Sequence, residues 1–369
     1  MFTPYLNAQS IQGVVCDQET RKPVADVHVY LDGTSIHTIT DKSGKFELNA
    51  KKLLLNTHLV LKHVSYELAL IPNPFWSGID TLFLKEELNP IEEVVIRTDR
   101  FSRKQKLKAF REQFLGNTRG GKACKILNEK DIQLVYHPNS RTLSAYADHP
   151  VIVRNSYLGY EIEFQLDEFR IMYSNDNTLE SDYAKSVSLM GPRSFKDLSP
   201  ENSIIKKRRD LSYQTSPRNF FHHLANQTLS TAGFKLYYET ESKQEIPDSL
   251  KNKSSGTLLT LLGSNAKLKT SVEFPPDSCF IVKDISPLKT IILNPDFEFT
   301  QEDTGIEEKV YADIKILHND LWSRTFFLTD SFMVDPYGNT DRIKKIIFSW
   351  RYQWYRVGEM LPLDYQLSE

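Results

Sequence analysis

A chain of 369 residues with 46 Lys plus Arg against 48 Asp plus Glu, net charge −2, lacks the basic field with which a general nucleic-acid binder displaces counterions from phosphate. Its 40% hydrophobic and 25% charged residues are those of a folded protein of two or three domains. Apolar runs stay short of the ~20 residues that span a bilayer as a helix, so no transmembrane segment is read.

In chain order, residues 1–9 read as a residual leader or a disordered start. LNAQ, with small Ala8 near a cleavage point, looks like the tail of a signal peptide truncated in this sequence. Val15 precedes Cys16 where a lipoprotein cleavage site needs a small residue, so lipidation at Cys16 is not expected. From Ile11 the pattern has period two. Ala25, Val27, Val29 and Leu31 alternate with Asp26, His28, Tyr30 and Asp32, which predicts a strand with one apolar and one polar face. Asp32-Gly33 marks a turn, and TDKSGKFEL at 40–48 a hairpin in which Asp41 and Ser43 organise the turn and Gly44 takes positive φ. Further strands are predicted at 58–64, 80–84 and 92–97. Short strands at this spacing predict a seven-stranded sandwich over 10–97.

These residues carry a resemblance. Gly13-Val14-Val15, KPVADVHVYLDG at 22–33, TDKSGKFEL at 40–48 and HVSYE at 63–67 occur in the order found in the carboxypeptidase-regulatory-like domain, a transthyretin-like, immunoglobulin-like sandwich. Ser65-Tyr66 stands where that family often has Gly-Tyr. The resemblance implies an accessory module without chemistry of its own, often placed ahead of an outer-membrane transporter or another surface domain in Bacteroidetes envelope proteins. LNPIEEVVIR at 88–97 resembles the Glu-Val-Val stretch that follows the domain there. Such a stretch can be a TonB-contacting box. With no room left for a ~22-stranded barrel, it is read here as a last strand or a linker.

Residues 98–369 predict a larger antiparallel β-rich α+β domain with a few helices. A helix is expected over 99–118, with Leu107, Phe110, Phe114 and Leu115 on its core face and Gly116-Asn117 ending it. Its basic back (Arg100, Arg103, Lys104, Lys106, Lys108 and Arg111) reads as a solvated face, with an anionic surface as the alternative. Strands follow at 122–127, 132–136, 142–147, 150–154, 158–165 and 169–174. A second helix is read over 217–232, capped by Ser216, opened by Pro217 and closed by Gly233. An exposed loop is read at 241–256, then strands at 257–262, 268–274, 279–283, 289–293, 309–317 and 324–334. FLGNTRGGKACKILN at 114–128, HPVIVRNSYLGYEIEFQLDEF at 149–169, SPRNFFHHLANQTLSTAGF at 216–234 and WYRVGEMLPLDY at 354–365 resemble a Bacteroidetes family in which the regulatory-like domain precedes a second domain. That resemblance implies an envelope location and lends no catalytic residues.

Chemistry is hard to find in the pattern. Cys16, Cys124 and Cys279 are far apart, which excludes a Cys-x-x-Cys zinc knot and reads as buried small hydrophobes. The carboxypeptidase His-x-x-Glu pair, His-Glu-x-x-His, Gly-x-Ser-x-Gly and a Walker loop are missing. TRGGKAC at 118–124 lacks the spacing of a phosphate loop, and His222-His223 on a helix diverge by ~100° and cannot easily share a metal. Asp303, Glu307 and Glu308 form an acidic loop without an EF-hand pattern. Lys206, Lys207, Arg208 and Arg209 read as an exposed basic run, with a polyanion contact as the alternative.

The expectation is a non-enzymatic binding or scaffolding protein at the periplasmic or outer-membrane surface, without cofactor, metal or nucleic acid, and with a protein or glycan partner. Two rivals stand beside it. One is a hydrolase site in 99–369 assembled from Asp148, His149, His222 and Asp335. The other is a carbohydrate- or peptide-binding surface made by Trp350, Tyr352, Trp354 and Tyr355, which crowd the tail.

Overall fold

The computed structural model describes residues 9–50, 54–55, 57–75, 78–87, 100–241, 269–285, 287–295, 308–350, 352 and 355–367. Alternating apolar and polar side chains make sheets almost throughout, with helices laid against them. By compactness the chain forms two units: Met1–Asn219 with Asp335–Asn339 and Trp354–Glu369, and Phe220–Val334 with Thr340–Gln353.

The first unit opens with β1 (Gln9–Asp17), β2 (His28–Leu31), β3 (His37–Ile39), β4 (Lys45–Ala50), β5 (His58–His63), β6 (Tyr66–Pro72) and β7 (Thr81–Leu84). They pair as two sheets, β4-β1-β7 and β3-β2-β5-β6, which make the expected sandwich. Val15, Val27, Val29, Leu31, Leu59 and Leu61 are fully buried between them. The strand read at 92–97 lies outside the described residues. The seventh strand is β6, which starts at Tyr66 of the HVSYE motif.

Asp41 shapes the first hairpin. Its Oδ1 accepts from the Ser43 hydroxyl at 2.7 Å and from the amides of Ser43 and Lys45 at 2.8 and 2.9 Å, which holds its carboxyl below the usual range. Gly44 has φ +73°, and a Cβ there would lie 2.4 Å from the Val15 carbonyl oxygen. Tyr30, read on the polar face, is buried, as is its cross-strand neighbour Val60. Glu163 and Asp167 from later in the chain lie against this face, and Lys62 Nζ meets Glu163 at 2.7 Å.

The rest of this unit comprises α1 (Arg103–Leu115), α2 (Arg119–Lys122), β8 (Cys124–Ile126), β9 (Gln133–His137), β10 (Thr142–Tyr146), β11 (Val151–Asn155), β12 (Tyr160–Phe164), β13 (Glu168–Tyr173), β14 (Ala184–Met190), β15 (Arg193–Asp197) and α3 (Ser203–Gln214). The sheets are β14-β13-β10-β9 and β15-β12-β11-β8, antiparallel throughout. A reciprocal capping box between Ser102 and Gln105 starts α1, and Gly116 at φ +87° ends it. Phe110 and Phe114 meet Phe169 and Phe164 edge to face. The basic back of α1 serves its own neighbours: Arg103 donates to the Ile132 carbonyl at 2.9 Å, Lys106 to the Leu134 carbonyl at 2.8 Å, and Arg111 pairs with Glu129.

The second unit has α4 (Pro217–Ala225), which starts at the division between the units, then β16 (Lys235–Glu241), β17 (Lys269–Phe274), α5 (Pro276–Cys279), β18 (Phe280–Ile285), β19 (Leu288–Leu293), β20 (Ala312–His318), β21 (Leu321–Phe327), β22 (Ser331–Val334) and β23 (Ile346–Trp350). Its sheets are β17-β16-β20-β21-β23 and β18-β19-β22. Phe220, Phe221, Ile291, Ile314, Phe327 and Val334 form its core. The helix read over 217–232 stops at Ala225. Gln227 adopts φ +56°, which a right-handed helix cannot continue, and Thr228 turns back to His223 through its amide at 2.9 Å and its hydroxyl at 2.8 Å. The single strand read over 324–334 is two strands in different sheets, parted by a turn at Leu328–Asp330. The loop at 241–256 and the strand at 257–262 lie outside the described residues, apart from Glu241, the last residue of β16.

Among the described residues no helix is long and apolar enough to cross a membrane.

Candidate functional site

Polar and nucleophilic side chains of the first unit converge where its last segment, 355–367, crosses the earlier elements. The crossing depends on glycines. A Cβ on Gly120 would lie 2.1 Å from the Gly358 carbonyl oxygen, and one on Gly358 would lie 2.3 Å from the Gly121 Cα. TRGGKAC therefore places small residues at a backbone crossing, with Thr118 Oγ1 accepting from the Gly121 amide at 3.1 Å as an N-cap.

Beside the crossing lie Ser212, Tyr355, Glu359 and Cys124. Ser212 Oγ is 2.9 Å from the Glu359 carbonyl, 3.2 Å from Glu359 Oε2 and 3.1 Å from the Tyr355 hydroxyl, which donates to the Ser212 carbonyl at 2.8 Å. Burial pushes both the Tyr355 phenol and the Cys124 thiol up to about 12. Cys124 Sγ lies 3.2 Å from the Gly120 carbonyl. A thiol held protonated is a poor nucleophile. The hydroxyls here act as hydrogen-bonding groups that fasten the last segment to α3.

Farther along, the guanidinium of Arg218 gathers backbone carbonyls, Pro362 and Leu363 at 2.8 Å each and Tyr337 and Tyr365 at 3.3 Å each. Leu363 donates its amide to the Gly33 carbonyl at 2.7 Å, and Asp364 accepts from the Ser35 hydroxyl at 2.7 Å and the Ser35 amide at 3.0 Å. The Gly33 amide donates to the Arg193 carbonyl at 2.7 Å, the Phe195 amide to the Thr34 carbonyl at 3.0 Å, and the Arg193 amide to Asp32 Oδ1 at 2.8 Å. The Asp32–Ser35 turn of the sandwich is thus held on one side by β15 and on the other by the last segment.

The rival catalytic set does not present itself as an active site. Asp335 is buried and its carboxylate accepts four hydrogen bonds: from the amides of Tyr337, Asn339 and Leu55 at 2.8, 2.9 and 3.0 Å, and from Asn339 Nδ2 at 2.8 Å. Burial raises its pKa against those donors. Its lone pairs are occupied in holding a turn. Asp148 and His149 are exposed between β10 and β11, and His222 lies in the last turn of α4 beside Asn226. Among the described residues no three His, Cys, Asp or Glu side chains are placed to hold a metal ion. Asp303 and Glu307 lie outside the described residues, and Glu308 pairs with Lys345.

Of the four tail aromatics, Tyr352 is 6% exposed and packs edge-on against Phe348 in the core of the second unit. Tyr355 is half-buried and bonded to Ser212 as described. The Trp350 side chain and Trp354 lie outside the described residues. A different aromatic pair faces outward. Trp322, 41% exposed, lies 5.1 Å from the Tyr237 ring, whose hydroxyl donates to Glu273 at 3.0 Å. Sequence reading missed this pair because its members belong to β16 and β21, which β20 separates.

The basic run at 206–209 divides. Lys206 and Lys207 are exposed and Arg208 is half-buried over the Tyr157 ring, but Arg209 is buried. Its guanidinium makes two 2.7 Å bonds to Asp197, one of 2.8 Å to the Leu158 carbonyl, and stacks 3.9 Å from the Tyr160 ring. The expectation of an exposed Arg209 is corrected by that partner, which lies twelve positions earlier on β15. Ile204 and Leu211, outward on the same helix, are exposed and were not singled out by sequence.

Compared with known proteins, residues 11–96 match the family model of the CarboxypepD_reg-like domain. The match assigns the N-terminal sandwich to that domain and stops before α1. A search of curated proteins found no match.

Proposed function

We propose that this chain is a non-enzymatic binding or scaffolding protein of the cell envelope, working in the periplasm or at the outer-membrane surface. The carrying observation is the fastening of the Asp32–Ser35 turn between β15 and residues 363–364, in which backbone amides and carbonyls exchange directly. An accessory sandwich keyed into its neighbour in this way serves to hold a surface in position. Export is tested by joining the natural gene, with its own upstream codons, to a reporter that is active only outside the cytoplasm. Reporter activity is expected, and its absence overturns the location. The scaffolding role is tested by screening purified protein on peptide and glycan substrates. Robust hydrolysis, lost on one Asp, Glu or His substitution, would replace this reading with the hydrolase.

A glycan as partner is favoured by one observation, the outward Tyr237–Trp322 pair with Glu273 beside it. Sugar rings stack their C–H faces on such aromatics while carboxylates take their hydroxyls. Titration of envelope glycans against Trp fluorescence, in the protein and in Trp322→Ala, tests it. A response that survives the substitution removes the pair from the account.

A further inference from the structure

We propose that the outward face of α3 is a docking surface for an anionic phospholipid membrane. Ile205, Arg209, Ser212 and Tyr213 are buried and define the inner face of the helix. At ~100° per residue, Lys207, Leu211 and Ile204 fall on the opposite side, with Arg208 flanking them. Ile204 is 63% exposed, Leu211 54%, and Leu198, in the turn that leads into the helix, 41%. Ile204 and Leu211 thus stand on one helix face together with the cation Lys207.

Charge decides the occupant. Between residues 196 and 211 the Arg209–Asp197 pair neutralises itself. That leaves Lys196, Lys206, Lys207 and Arg208 against Glu201 and Asp210, a local excess of two positive charges on a chain whose net charge is −2. Asp210 is in addition engaged by the Tyr365 hydroxyl at 2.7 Å. A second copy docking by the same face would set these cations against one another, so self-association is disfavoured. The aliphatic groups protrude singly from a convex helix, and the lysine stems among them can extend their ammonium groups sideways. That combination suits an interface of headgroups over acyl chains, where Ile204 and Leu211 enter and the cations meet phosphates. Arg208 is held in place for this by its stacking on Tyr157 and its 3.4 Å bond to the Tyr157 carbonyl.

The proposal does not depend on the envelope reading, since the binding is measured on isolated components. The full chain is sedimented with phosphatidylcholine vesicles, with and without about a third phosphatidylglycerol. Binding is expected on the anionic vesicles, weak on the neutral ones, and lost in about 0.5 M salt. Lys206→Glu with Lys207→Glu is expected to weaken it by on the order of 25-fold or more, at about fivefold per cation removed. Ile204→Ser with Leu211→Ser is expected to weaken it while leaving the charge unchanged. All four side chains are exposed, so both variants should keep the parent Tm, and unfolding curves confirm that the comparison is made between folded proteins. No binding to anionic vesicles, equal binding to neutral ones, or undiminished binding by both variants overturns the proposal. So does concentration-dependent dimerisation abolished by the same substitutions, which would make the face a contact between copies.

Discussion

Asp335 Oδ2 accepts a hydrogen bond of 3.0 Å from the backbone amide of Leu55, 280 positions earlier in the chain. The same carboxylate closes its own turn through Tyr337 and Asn339, so one side chain ties the sandwich to a loop contributed from late in the sequence. Replacing Asp335 by Ala strands three amides and one side-chain N–H in a buried place. Each unmade bond of this kind costs about 1–3 kcal/mol, less whatever water recovers. A loss of roughly 3 kcal/mol or more in urea unfolding is expected. If Asp335→Ala unfolds at the parent midpoint, the tie contributes nothing.

Arg209 offers a comparable test within α3. Its side chain is nearly inaccessible and its carboxylate partner Asp197 partly exposed, so removing the guanidinium abandons a half-buried anion and two carbonyls. Arg209→Ala should cost about 3 kcal/mol. Arg209→Lys should recover little, because an ammonium cannot bond both Asp197 oxygens and the Leu158 carbonyl from one plane. Paired unfolding curves of the two variants and the parent decide between these outcomes.

Both residues show why sequence reading reached only part of the way. Val27, Val29 and Leu31 announce their strand because alternation is local, and Gly116 announces the end of α1 because positive φ is local. Arg209 gave no such sign, since its burial depends on Asp197, Leu158 and Tyr160, which are brought to it by the fold. The strand β14 went unread for a related reason. Ser186-Val187-Ser188-Leu189 does alternate, but the run is short, none of its residues is fully buried, and its register on β13 slips beside Lys185, which only the fold sets. Tyr352 and Trp322 illustrate the limit for candidate sites. Residue type marks both as platform aromatics, yet one is packed into a core and the other exposed, and pairing of distant strands makes that difference.

The backbone crossing of α2 with residues 357–359 predicts a sharp contrast among glycines. Gly358→Ala drives a methyl group to 2.3 Å from Gly121, where both contacting atoms belong to backbone and cannot step aside. A loss of several kcal/mol is expected, on the scale of ~3 or more for overpacking. Gly233 has positive φ, but a Cβ there meets nothing within 4 Å, so Gly233→Ala should cost only about 1 kcal/mol. Thermal melts of both variants check the difference, and an equally small loss in Gly358→Ala would show that the crossing tolerates a methyl group.

His223 and His318 predict acid sensitivity in the second unit. They lie on either side of Phe234, with His318 stacked at a 3.8 Å centroid distance and His223 tilted at 5.8 Å. Burial lowers both pKa values below the ordinary 6.5, and for His223 the nearby His222 and His318 lower it further. Each imidazole is therefore harder to protonate in the folded protein than in the unfolded chain. As pH falls through 6.5 the unfolded chain takes up protons first, and stability drops until the folded-state values are passed. Urea midpoints measured between pH 7.5 and 5 should decline with acidity, and the decline should flatten in His223→Gln combined with His318→Gln. An unchanged slope in that double variant would assign the acid sensitivity to groups elsewhere in the chain.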